Sequence, residues 1–196
     1  DNHYTCGISP QGLGGTCTSI SDQLAECREL NVPGTYYNLT QDVATTSTCF
    51  RITASDITLD CQGYKINYSN GRAITNYDQS NVNFPVRNIT IKNCVINETS
   101  DGDHAVYLNN INDSILLNNS ITANYYNDYG IYLYTAYRNS VQNNNVMMLA
   151  GITAGAEDAI HMVGGYDNNI TNNNLKTTDY YAATIQLVSS YRNILS

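Results

Sequence analysis

The amino-acid sequence predicts an all-β fold, a single-stranded right-handed parallel β-helix, and three observations carry the prediction. Short apolar runs recur about every 25 residues, an asparagine holds one fixed place in each recurrence, and six cysteines are gathered in the first half of the chain. Repeats of this length are the mark of solenoids, in which each unit buries its apolar face only against its neighbours.

The frame is clearest in segments 137–141, 166–170 and 191–195, and it runs back to 112–116 and to Ile91, at intervals of 25, 25, 29 and 25 residues. A second apolar column falls five residues later, at Ile96, Ile121, Val146 and Leu175. A third comprises Val106, Ile131, Ile160 and Ile185, each followed two residues on by Leu108, Leu133, Met162 and Leu187. Alternation with period two is the pattern of a strand with one buried face. The residues between them, Tyr107, Tyr132, His161 and Gln186, are expected to face outward. Runs this short, punctuated by Asn and Gly, lack the stripe a helix needs.

Each period therefore supplies three short strands that pair in parallel with their equivalents one turn away, about 4.8 Å along the axis. Asn93, Asn118, Asn143 and Asn172 share one position and read as an asparagine ladder. Asn tolerates the left-handed conformation of a tight corner, and its amide bonds to the amides above and below. On this reading the Asn118 amide is buried. The four extra residues of the 29-residue coil lie between Val146 and Ile160, so segment 150–155 is expected to bulge from a corner. Upstream, 34–66 alternates less regularly. The expected organisation is a Cys-rich N-terminal cap over residues 1–32 and a β-helix over 33–196.

The cysteines, Cys6, Cys17, Cys27, Cys49, Cys61 and Cys94, form no Cys-x-x-Cys pair, which disfavours zinc and favours disulfides formed in an oxidising compartment. Six allow 15 pairings, and the sequence chooses none. The chain starts at Asp1 and has no apolar run long enough to cross a membrane, so a removed signal and a secreted or cell-surface location are expected. Sequons at Asn38, Asn67, Asn88, Asn97, Asn112 and Asn169 are candidate N-glycosylation sites, whereas the sequon at Asn118 is expected to be occupied by the ladder. A net charge of −8, without basic clusters, argues against nucleic acid as a partner.

Runs such as Ile57-Thr-Leu-Asp-Cys-Gln-Gly-Tyr-Lys-Ile66 and Asn88-Ile-Thr-Ile-Lys-Asn-Cys-Val-Ile96, with the later Asn-Asn-x-Ile/Val/Leu coils, resemble the parallel β-helix proteins of the pectate-lyase-like superfamily over about residues 33–196. That resemblance implies the fold. It leaves function open, because the family includes polysaccharide lyases, hydrolases and epimerases beside non-catalytic surface proteins.

The enzyme-like feature is acidic. Asp103, Asp128 and Glu157 lie three residues before the third column, with His104 and Asp158 beside them. Stacked carboxylates suit a glycosidase pair, a calcium site, or solvated corners that fan apart. The polygalacturonase-like pattern is only echoed, in Asp101-Gly-Asp-His104 and in Glu157-Asp-Ala-Ile160, and its Gly-His-Gly and Arg-x-Lys motifs are missing. Arg138 is the basic residue considered for a lyase, and His161 is expected as an exposed strand residue. Tyrosines form the other set: Tyr107 and Tyr132 on one face, Tyr137, Tyr166 and Tyr191 at a corner, with Tyr125, Tyr126, Tyr129, Tyr180 and Tyr181 nearby. Such a surface suits sugar rings or a neighbouring protein.

The sequence-level expectation is an extracellular or cell-surface structural glycoprotein, a rigid β-helix without a required cofactor, able to self-associate head-to-tail because its last coil carries no polar cap. The alternative is a polysaccharide-active enzyme or carbohydrate-binding β-helix whose site is Asp103, Asp128, Glu157 and Asp158, with Ca2+ as its candidate metal.

Overall fold

The computed structural model describes residues 21–77, 84–100, 102–123, 128–149, 157–178 and 182–196, and the backbone of 4–6 and 17–19. Over these residues the chain is an all-β parallel solenoid of about six turns, with coils of about 25 residues. The apolar columns are register partners. Ile91, Leu116, Val141, Ile170 and Leu195 lie one above another, as do Ile96, Ile121, Val146 and Leu175. So do Ile74, Val106, Ile131, Ile160 and Ile185.

Three parallel sheets result. The first runs from Ser21–Leu24 through Thr90–Lys92 and Ser140–Gln142 to Ile194–Leu195. The second runs from Val43–Thr45 through Val95–Glu98 to Asn174–Thr177. The third runs from Glu29–Leu30 through the long strands Val106–Asn112 and Ile131–Tyr137 to Ile185–Val188. Their inward residues fill the axis of the coil, and Leu59, Ile66, Ile91, Ile96, Leu108 and Leu133 are wholly buried. Each such side chain contributes about 1.5–3 kcal/mol by leaving water.

Among the described residues the first parallel pairing in chain order sets Ser21–Leu24 beside Tyr36–Leu39. The described disulfides join successive coils. Cys27 pairs with Cys49 and Cys61 with Cys94, with Cα atoms 4.5 and 4.7 Å apart, and both link the irregular early turns. Tyr4–Cys6 pairs antiparallel with Cys17–Ser19, and the side chains of Cys6 and Cys17 lie outside the described residues.

The corners depend on left-handed backbone. Asn93, Asn118, Asn143 and Asn172 have φ between 55° and 56° and turn the chain from the first sheet into the second. Asp56, Asn88, Asp113, Arg138, Asp167 and Arg192, with φ between 52° and 61°, turn it from the third into the first. Asn and Asp adopt this conformation most readily among residues with a side chain. The two arginines are held by forked ion pairs one coil apart, Arg138 to Asp113 (2.7 and 2.8 Å) and Arg192 to Asp167 (2.7 and 2.6 Å).

The asparagine ladder expected at Asn93, Asn118, Asn143 and Asn172 is corrected by the structure. A residue in the left-handed conformation at these corners points its side chain outward. Asn118, Asn143 and Asn172 are exposed, although Asn118 still donates to Asn93 Oδ1 at 2.8 Å. The buried ladder belongs to the next residue, whose side chain turns inward: Asn119, Asn144 and Asn173. Asn119 donates through its backbone N–H (3.0 Å) and Nδ2 (2.9 Å) to Asn144 Oδ1, and Asn144 does the same to Asn173 (2.9 and 3.0 Å). A second inner ladder, Asn139, Asn168 and Asn193, occupies the other corner with the same geometry. Each Nδ2 also reaches a backbone carbonyl, as Asn144 does to Leu116 at 3.0 Å. The ladders are capped by chemically related residues, since Cys94 N–H donates to Asn119 and Ser114 N–H to Asn139.

Replacing the inner amide leaves buried donors and acceptors without partners, which costs about 1–3 kcal/mol for each orphaned group. Asn144→Ala is therefore expected to lower the unfolding free energy by about 3 kcal/mol, and the outward neighbour substitution Asn143→Ala by about 1 kcal/mol, the cost of a left-handed alanine. Urea denaturation of the two variants measures the difference.

Candidate aromatic and acidic site

The site lies where the chain enters the third sheet. The register that stacks Val106, Ile131 and Ile160 also stacks the residues three positions earlier, Asp103, Asp128 and Glu157, and those two positions earlier, His104, Tyr129 and Asp158. Backbone hydrogen bonds across the corner, from Ala105 N–H to Tyr129 and from Gly130 N–H to Asp158, hold that alignment at 3.1 Å. Gly130 is needed here because a Cβ would stand 2.3 Å from Val146 Cγ1 and 2.8 Å from the Ala159 carbonyl oxygen.

The carboxylates are not solvated corners. Asp128, Glu157 and Asp158 are 5%, 0% and 1% exposed, and only Asp103 remains partly accessible. His161, expected as an exposed strand residue, is also buried. The reason is aromatic cover. The Tyr129 ring stacks between His104 (4.8 Å, 22° between planes) and His161 (4.2 Å, 18°). Tyr107 and Tyr132, register partners on the outer face of the third sheet, stack at 4.9 Å, and Tyr132 presents its edge to both imidazoles at 4.9 and 5.2 Å. Tyr77 extends the row, 5.5 Å from Tyr107, and Tyr134 adds a ring 41% exposed to solvent.

Around and below the rings, Asp103, Asp158 and Glu98 have defined partners. Asp103 Oδ2 is 2.6 Å from Arg72, whose guanidinium lies 4.4 Å from the Tyr107 ring centroid. Asp103 Oδ1 accepts from the His104 backbone N–H at 2.8 Å. Asp158 accepts the Ala183 backbone N–H through Oδ1 (2.6 Å) and meets His161 Nδ1 through Oδ2 (2.7 Å). Glu98 Oε1 accepts from Gly102 N–H at 2.9 Å. The Tyr68 hydroxyl donates to the Asp103 carbonyl at 3.2 Å, and burial, with Glu98, Asp128 and Asp103 nearby, pushes its titration well above the tyrosine range.

His104 Nδ1 accepts the Tyr129 backbone N–H at 3.1 Å, which places the ring proton on Nε2, 3.4 Å from Asp103 Oδ1. Burial pulls its pKa down to about 4, opposed by Asp103 and assisted by Arg72 and His161. The imidazole is therefore neutral at neutral pH. Burial also raises the titration of Tyr107, Tyr129 and Tyr132, so the phenols stay protonated.

Asp103, His104 and Asp128 bring ligand atoms to within 4.8 Å of one another. The set does not fit calcium, which takes six to eight oxygen ligands. Asp103 is already held by a guanidinium and a backbone N–H, and His104 offers nitrogen. Of the four carboxylates expected for an enzyme site, Asp128, Glu157 and Asp158 are buried and Asp103 is partly accessible.

The sequence reading placed the acidic and tyrosine residues in one register but missed Arg72 and Tyr77, which lie in the irregular early coils. Arg72 is the register neighbour of His104, since Asp103 N–H bonds to the Gly71 carbonyl, and that alignment was the only signal for it. Arg138 lies at a different corner, paired with Asp113. Segment 150–155 and residues Asp101, Tyr125, Tyr126, Tyr180 and Tyr181 lie outside the described residues. Among the sequons, Asn88 and Asn118 are exposed, and Asn67, Asn97, Asn112 and Asn169 are partly buried. Asn38 is buried and donates its Nδ2 to Ser21 Oγ at 2.9 Å.

No protein-family model and no curated protein matches this chain. A solved structure that does match is the A-module of mannuronan C-5 epimerase AlgE4 from Azotobacter vinelandii, at 12% sequence identity and a TM-score of 0.33, covering 90% of this chain and 66% of that one. The strand register and ring stacking of the chain itself define a parallel β-helix with an aromatic-covered acidic corner.

A His whose folded pKa is depressed favours the neutral form, so its contribution is fully present above the unfolded value of about 6.5 and is lost as pH falls from there toward about 4. Unfolding free energy is expected to drop by about 3 kcal/mol over that window. Urea titrations at several pH values, on the native chain and on His104→Gln, check this, and the variant should lose that part of the slope.

Proposed function

We propose that this chain is an extracellular β-helix that binds a carbohydrate on the aromatic face of its third sheet. The observation that carries the reading is the row Tyr77, Tyr107, Tyr132 and Tyr134, of which the last three sit on strands of the third sheet, backed by His104, Tyr129 and His161. Tyr offers large amphipathic area with little entropy to lose, and its hydroxyl both donates and accepts. The phenols of Tyr107 and Tyr132, one coil apart and kept protonated by burial, suit the repeated hydroxyls of a glycan chain. The carboxylates of Asp158 and Asp103, held by Ala183 N–H, His161 and Arg72, act as the foundation of this face, and the binding proposed here calls on no catalysis or cofactor.

An extracellular setting is supported by the two described disulfides, which persist in oxidising compartments. Among the described residues no helix is long and apolar enough to cross a membrane. N-glycosylation is part of the same proposal, with Asn88 and Asn118 as the most accessible sequons.

A second reading, a structural rod of an extracellular surface that assembles into filaments, is favoured by the paired inner ladders and by the forked ion pairs along one corner. Electron microscopy of concentrated protein tests it: filaments support it, and dispersed monomers reject it.

For the carbohydrate reading, a glycan array probed with the labelled protein should yield binding that Tyr132→Ala weakens at least tenfold with the fold retained by circular dichroism. Binding unchanged by that substitution would remove the face from the proposal.

A further inference from the structure

We infer that the aromatic face selects neutral glycans and rejects polyuronates, an inference that rests on the carbohydrate-binding reading. The argument is electrostatic. A carboxylate-bearing sugar needs an available cation, and the guanidiniums beside the face are already engaged. Arg72 is 2.6 Å from Asp103, with its guanidinium carbon 4.4 Å from the Tyr107 ring centroid. Arg51, on the same outward column two coils earlier, donates Nε to the Tyr77 carbonyl at 3.3 Å.

Asp103 stands beside the rings, and Asp128, Glu157 and Asp158 lie buried beneath them, within a protein of net charge −8. An arriving carboxylate would lose its hydration and meet this field, whose reach is about 10 Å at 0.1 M salt. A neutral sugar pays neither cost. Its hydroxyls find phenols that remain protonated because burial raises their titration, with Asn109 beside them in register with Tyr134. The face therefore offers hydrogen bonding and apolar contact while withholding cations.

Asp103 is the specificity residue on this account. Removing its charge releases Arg72 toward the face without touching the rings.

The test is affinity electrophoresis of the full chain through gels containing barley β-glucan, galactomannan, soluble starch, alginate or polygalacturonate. The expected result is retardation by at least one neutral polymer at a concentration at least tenfold below that required of either polyuronate. Tyr132→Ala should abolish the retardation, and Tyr134→Ala, at an exposed position, should weaken it if the first variant fails to fold. Asp103→Asn should raise polyuronate affinity several-fold while leaving the neutral polymer bound, an effect that a merely structural carboxylate would not produce. Polyuronate binding equal to or tighter than neutral binding would overturn the inference and leave the carbohydrate reading standing. Failure of all five polymers to retard the chain would overturn both.

Discussion

The structure depends on the two inner asparagine ladders. A parallel coil has no hairpins to set its register, so every turn must be told where to sit on the turn before it. The buried amides do this because, as at Asn144, an Oδ1 accepts two N–H groups from the asparagine one coil earlier, while, as at Asn119, an Nδ2 donates both back to a carbonyl of the preceding coil and onward to the next amide. An unmade bond of this kind is costly in a dry interior, so slippage of one coil against the next is penalised at both corners simultaneously.

Registered stacking creates the problem that the candidate site answers. When equivalent residues lie about 4.8 Å apart, acids stack on acids. Like charges at that spacing oppose ionisation. At three of the acids the protein supplies donors: a guanidinium on Asp103, a backbone N–H and an imidazole on Asp158, and a backbone N–H on Glu98. Rings then close the surface. The same geometry that burdens the interior with charge also builds an aromatic patch on the outer face, since Tyr107 and Tyr132 too are brought over one another.

Much of the fold was legible because stacking leaves a direct trace in sequence. Ile91, Leu116, Val141, Ile170 and Leu195 recur at the coil length, and they proved to be register partners. The early turns were less legible, because Ile74 and Phe50 belong to the third column while their coils differ in length from the later ones. The asparagine ladder was read one residue out of place. Asn118-Asn119 and Asn143-Asn144 are tandem pairs, and sequence alone does not say which member turns inward. The burial of Asp128, Glu157, Asp158 and His161 was missed for a similar reason: what covers them comes from neighbouring coils, and no periodicity records cover.

By itself the sequence determined the solenoid, its three strand columns and the coil length, because these follow from where apolar residues recur along one chain. Only the tertiary structure decided which asparagines form the ladders, which cysteines pair among those described, and that Arg72 is tied to Asp103 beneath a tyrosine face. Those outcomes depend on side-chain direction at left-handed corners and on contacts between turns. Both are properties of the coil once wound, and neither has a period in the chain.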